Sequence, residues 1–406
     1  MALLALTSII AKAQEEQNGD SAIVKSLKNA QMEIKRIEEE FDNSVISKLT
    51  DLNEIKSRIV ILANNSTLTS TEVKELTVLT NKKVLIEDEL FHKNRLSNVN
   101  KLQTRYETGF SILKAMLLQL ENLDSKYKDL KLYKTYSNIA NPLQYREFNN
   151  NLSEIENTLK RKKGFDITLP SPLSEIVNKN PTIASGYSIV TAVLSTLSAP
   201  VKSEKFKTIR DVLILTGSMQ TDLNLINNEI DYLEHRVSLY LRKTETFFSE
   251  YLKSIEYTKS YAQFITDNDN QTIENMKGSV FTGITNDINN NINNYTYSIN
   301  QTEKEIEITF NLIRLVDLIN EYKIVLSETE NYYMKFETMI KKYDNQLDFP
   351  ELNVNATLQS GNTFKDEVTK LKIQLVNAKD SAQRVLKASD VSEYEIRKIL
   401  YGTPRN

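Results

Sequence analysis

The amino-acid sequence predicts an all-α protein: an elongated bundle of long antiparallel coiled-coil helices with an irregular, proline-containing head insert. The first observation is that apolar positions recur in steps of four and three, most regularly over residues 219–251 and 308–343. An average step of about 3.5 residues keeps a narrow apolar stripe facing a partner helix over many turns. The second observation is that five of the seven prolines are clustered in one part of the chain.

The prolines divide the chain into helical blocks, because proline interrupts helices. No proline precedes Pro142, none lies between Pro200 and Pro350, and five of the seven fall from Pro142 to Pro200. The predicted parts are an N-terminal long helical hairpin, a head insert, and C-terminal long helices that complete the bundle, at residues 14–140, 141–201 and 202–406 respectively.

Two turns between long helices are predicted from local signals. Thr69 and Glu72 form a capping-box pattern, which predicts that a second helix starts shortly after the first ends at Asn64 and Asn65. The asparagine-rich stretch 267–300 predicts another turn, since asparagine side chains compete with the helix for backbone hydrogen bonds.

The head insert contains a charge-free segment, residues 181–201, in a chain of which 26% is charged. Its length is close to what a helix needs to cross a bilayer. Two interpretations stay open: a buried helix of the bundle head, or a segment released into a membrane. The segment supplies seven candidate contact residues: Ile183, Tyr187, Ile189, Val190, Val193, Leu194 and Leu197.

A basic run precedes this segment and is the second candidate contact. Basic side chains at a membrane surface attract anionic lipid headgroups, and the same side chains at a helix C-terminus complement its dipole. The run consists of Lys160, Arg161, Lys162 and Lys163.

The order of these parts, with one apolar head segment between long coiled-coil helices, resembles the cytolysin A class of helical pore-forming toxins. The resemblance is architectural and implies a protein whose head segment enters a membrane.

The N-terminus carries a pattern typical of an export signal. An apolar run over residues 2–10 is followed by Ala11-Lys12-Ala13, which has the small-x-small form of a signal-peptidase site. Residues 1–13 are therefore interpreted as a signal peptide that lacks its basic n-region, which predicts a secreted, periplasmic or cell-surface location in a bacterium. The alternative is an ordinary amphipathic first turn.

The sequence offers few residues for catalysis. Cysteine is absent, and the two histidines, His92 and His235, each lie inside a predicted helix without a second ligand at metal-binding spacing. Nucleotide-binding and acyl-transfer motifs are missing, and basic residues form no stripe for nucleic acid. We therefore expect a non-enzymatic protein with no cofactor, no metal and no nucleic-acid partner.

The leading functional hypothesis is an exported scaffold, adhesin or secretion-machinery component that acts in binding or assembly through its head insert. Its partner would be another protein, or a second copy associating through the helices. The competing hypothesis is an α-helical pore-forming toxin that inserts residues 181–201 into a membrane.

Overall fold

The computed structural model describes residues 22–130, 139–161, 204–290, 299–344, 357–386 and 393–402. Within these ranges the chain is all-α, and the regular elements are nine helices and one 3₁₀ turn, Pro142–Gln144. The helices are α1 Ala22–Ala63, α2 Ser70–Leu130, α3 Arg146–Arg161, α4 Glu204–Lys253, α5 Tyr261–Asp267, α6 Asn270–Asn290, α7 Ile299–Asp344, α8 Phe364–Leu386 and α9 Glu393–Leu400.

The chain divides into two compact units. The first comprises the described residues within 1–121, 239–324 and 387–406, and the second comprises those within 122–238 and 325–386. The α2, α4 and α7 helices each contribute residues to both units.

The first turn is confirmed. The α1 helix ends at Ala63 and α2 begins at Ser70. The capping box is formed as predicted: the Thr69 amide donates to Glu72 Oε2 at 2.7 Å, and the Glu72 amide donates to Thr69 Oγ1 at 3.3 Å. This pair satisfies two of the amide groups that a helix N-terminus leaves without an intrahelical partner.

The predicted turn at residues 267–300 is wrong over most of its length, because residues 270–290 form α6. The helix survives its asparagines because an apolar face is buried at helical spacing, and tertiary packing outweighs weak intrinsic propensity. Its buried residues are Ile273, Lys277, Val280, Phe281, Ile284 and Ile288. The preceding α4 ends at Lys253, and the short α5 is capped by Ser260 and Gln263.

The core of the first unit is centred on a pair of tyrosines from α2 and α4. The rings of Tyr106 and Tyr251 stack with centroids 4.7 Å apart. Each hydroxyl donates to the backbone carbonyl oxygen of the other residue, at 3.3 Å from Tyr106 and 2.8 Å from Tyr251. The close approach depends on Gly109, where a Cβ atom would lie 2.3 Å from the Tyr251 hydroxyl oxygen.

The core of the second unit also contains tyrosine hydroxyls that are hydrogen-bonded. Tyr127 is fully buried, and its hydroxyl oxygen lies 2.6 Å from Thr329 Oγ1. Tyr343 donates to Asp222 at 2.6 Å, and Lys342 donates to the same carboxylate at 2.8 Å. These bonds give buried hydroxyls the partners that burial requires.

Candidate interaction surfaces

Most of the predicted contact residues lie outside the described residues. These are Lys162, Lys163 and all seven candidates of the charge-free segment 181–201. Lys160 and Arg161 are the last two residues of α3, so the basic run begins at a helix C-terminus. That position complements the helix dipole.

The start of the predicted insert is anchored within the second unit. The Tyr145 ring is buried, and its hydroxyl donates to the Ile139 carbonyl at 2.6 Å. The Arg146 amide donates to the Thr357 carbonyl at 2.9 Å, and the Thr357 amide donates to Glu147 Oε2 at 2.9 Å. The first turn of α3 is therefore tied to a segment far away in sequence.

A second surface, which the sequence analysis missed, lies on the hairpin of α1 and α2. We refer to residues 46–91 as the arm. None of residues 63–96, all of them described, is buried. The two helices of the arm are joined by ion pairs, Lys48–Glu89 at 2.8 Å, Lys56–Glu87 at 2.9 Å and Arg58–Glu75 at 2.8 Å.

These ion pairs keep the arm's carboxylates charged. Hydrogen bonds from Lys48, Lys56 and Arg58 lower the pKa values of Glu89, Glu87 and Glu75 respectively. All three pairs are exposed, so each contributes little to stability. The pairs mainly show the register of the two antiparallel helices, that is, which residues of α1 lie beside which residues of α2.

One side of the arm carries large apolar side chains that are exposed to solvent. In α1, Leu49 and Val60 are eleven residues apart, which is close to three full turns. In α2, Val73 and Phe91 are eighteen residues apart, or five turns, and Val84 lies seven residues before Phe91. Each helix therefore presents one exposed apolar line.

The two lines lie on the same side of the arm. Positions facing the other helix include Leu52 and Leu62 of α1, which are buried. Lys56 of α1 and Glu87 of α2 each lie between the positions that face the other helix and the exposed apolar line of their own helix. These two residues pair with each other, so the two apolar lines lie on the same side. We call the resulting surface the arm face and define it by Ile46, Leu49, Val60, Val73, Val84 and Phe91, which are 44% to 59% exposed.

Two further exposed apolar residues of α2, Val78 and Leu85, point to the other side of the arm by helical spacing. Leu85 is 68% exposed and directly follows Val84. It is therefore a matched neighbour on the opposite surface.

Other features of the described residues offer little chemistry. The described residues contain no cluster of three or more metal-ligating side chains and no helix long and apolar enough to cross a membrane. A cavity of about 170 Å³ is lined by Gln103, Gly278, Phe281, Thr282 and Thr285, none of which is titratable. His92 Nε2 lies 3.1 Å from Asn289 Oδ1, which gives that imidazole a structural partner.

The comparisons with known proteins give no relative: no family model, no curated protein and no solved structure matches the chain.

Proposed function

We propose that this chain is an exported, non-enzymatic helical-bundle protein that acts in binding or assembly. The observation that carries this proposal is the arm face, where six large apolar side chains are exposed on one side of a two-helix arm. Exposed apolar side chains that share one face and are bordered by charged residues are typical of a protein–protein contact. The coiled-coil organisation, the head insert of residues 141–201 as a further contact, and the signal peptide of residues 1–13 belong to the same proposal.

The arm face supports association through helices in particular. An antiparallel helix pair that buries few side chains gains stability when its exposed line packs against further helices. The charged residues of the arm, including Lys56 and Glu87, border the apolar positions and would form the polar rim of such a contact.

Site-specific photo-cross-linking tests this proposal. We expect a photoreactive phenylalanine analogue at position 84 to form protein adducts in the cells that make the protein, because position 84 lies on the arm face. The same analogue at position 85 is the matched control and is expected to form few adducts. Absence of adducts at position 84, or equal yields at both positions, would overturn binding through this surface.

A second candidate function, membrane insertion, is favoured by the sequence of residues 181–201. A run of this length without charge is long enough to span most of a bilayer as a helix, and Lys160 to Lys163 precede it.

Dye release from liposomes tests the second candidate. If the segment inserts, the purified chain releases dye, and Val190→Asp strongly reduces release because a charge at the centre of a bilayer is costly. The variant should remain soluble and helical by circular dichroism. Intact vesicles of both neutral and anionic composition would contradict membrane insertion and leave the arm-face proposal unaffected.

A further inference from the structure

We propose that the arm face binds the arm face of a second copy of this chain, with the two arms antiparallel about a two-fold axis. This inference rests on the proposed function, since it names the partner of the same surface. Under this rotation four apolar residues of the arm face meet apolar residues of the second copy, and the charges of the two faces do not oppose the contact.

Four of the six apolar residues form pairs that are placed symmetrically along each helix. In α2, Val73 and Phe91 each lie nine residues from Lys82. In α1, Leu49 and Val60 lie on either side of a midpoint between Glu54 and Ile55.

The two midpoints lie at the same height on the arm. Lys48 pairs with Glu89 at 2.8 Å, and Lys93 Nζ donates to the Ser44 carbonyl at 3.0 Å. This register places residues 54–55 of α1 opposite residues 82–83 of α2. One two-fold axis at that height therefore relates both pairs of apolar residues at once.

The axis brings α1 onto α1 and α2 onto α2 of the second copy, in antiparallel orientation. Leu49 then meets Val60 of the other copy, and Val73 meets Phe91. Val84 lies two residues from the midpoint, so the two copies of Val84 are close to the axis and each faces Thr80 of the other chain. Large side chains therefore face each other at the two ends of the contact, and the smaller Val84 and Thr80 face each other near the axis.

The charges on the surface are compatible with this arrangement. The same axis places Glu87 opposite Thr77 and Lys56 opposite Asn53, so neither charge meets a like charge of the other copy. The arm contains six basic and seven acidic residues, so a second arm is not repelled by a large net charge. A surface that complements itself under a two-fold rotation is what an isologous dimer requires.

Sedimentation equilibrium of the purified full-length chain tests the inference. We expect the wild-type chain to form a dimer. Val84→Glu should raise the dimer dissociation constant by at least about a hundredfold, because it places two like charges beside the axis. Leu85→Glu introduces the same side chain one residue away on the opposite surface and should leave the dissociation constant unchanged. Circular dichroism should show equal helicity for both variants.

A mixing experiment separates loss of the interface from loss of folding. Val84→Glu and Val84→Lys chains should each be monomeric alone and should form a heterodimer when mixed, because the two-fold axis brings positions 84 together. A wild-type chain that stays monomeric at every soluble concentration would overturn the inference, as would a dimer that Leu85→Glu weakens equally. Adducts to a different protein at position 84 together with a monomeric wild type would overturn the inference while supporting the proposed function.

Discussion

Raising the pH above 10 is expected to unfold the protein cooperatively within about one pH unit. Burial raises the pKa of the hydroxyl in nine buried tyrosines above the usual value of about 10. For Tyr333 and Tyr257, burial raises the pKa to about 12. The other seven are Tyr106, Tyr127, Tyr145, Tyr240, Tyr251, Tyr261 and Tyr322.

The protein loses stability as the pH rises because the folded state keeps its tyrosine protons at a pH at which the unfolded chain has lost them. The stability contributed by these neutral hydroxyls is fully present below pH 10 and is lost as the pH rises toward the folded pKa values, because the unfolded chain ionises first. Each tyrosine lowers the free energy of unfolding by about 1.4 kcal/mol per pH unit in that window. Five of the seven tyrosines named last lie in the first unit, and together they lower its free energy of unfolding by on the order of 7 kcal/mol per pH unit, which is within the range of the total stability of a typical domain.

Far-ultraviolet circular dichroism and phenolate absorbance, followed over the same titration, measure this effect. Helicity should be lost in the same narrow pH interval in which phenolate appears. Tyr333→Phe is an informative variant, because the buried Tyr333 hydroxyl has no hydrogen-bond partner among the described residues. It should leave neutral-pH stability nearly unchanged and make the alkaline loss of the second unit less steep. Full helicity at pH 12 would contradict the prediction.

Replacing Tyr251 by alanine is expected to lower the free energy of unfolding of the first unit by about 3 to 5 kcal/mol, as for other large buried aromatic residues. The ring is fully buried and stacks on Tyr106, and its removal leaves a cavity beside Gly109, which has no side chain to fill it. Chemical denaturation followed by circular dichroism measures the loss.

Tyr251→Phe is the matched control for this prediction. It keeps the stacked ring and removes only the hydrogen bond to the Tyr106 carbonyl, which costs about 1 kcal/mol. If the alanine and phenylalanine variants were equally stable, the stacking and packing of the ring would not stabilise the first unit.

The features predicted correctly from the sequence are those specified by local signals. The boundary between α1 and α2 was predictable because Thr69 and Glu72 form a cap from residues three apart, and the stripe at residues 219–251 marks the buried side of α4. The error at residues 267–300 arose because asparagine content is a local property, whereas burial of Phe281 and Ile284 is a tertiary one.

The arm face was missed because its spacing is sparse. Val73, Val84 and Phe91 are separated by eleven and seven residues, with Thr77 and Thr80 between the first two, so they do not form a dense stripe. Their exposure is a property of the folded chain and could not be inferred without knowing which side of α2 meets α1. The candidates in residues 181–201 remain predictions from sequence, since they lie outside the described residues.

The contact between Gly109 and Tyr251 also constrains how this sequence can change during evolution. A methyl group at position 109 would meet the hydroxyl oxygen of a stacked, hydrogen-bonded ring, together with Leu312 and Leu315 at 3.1 and 3.0 Å. Substitution at 109 is therefore accessible mainly after residue 251 has lost its hydroxyl. In a set of diverged sequences, positions 109 and 251 should covary, with glycine accompanying tyrosine and a larger residue accompanying phenylalanine or a smaller side chain.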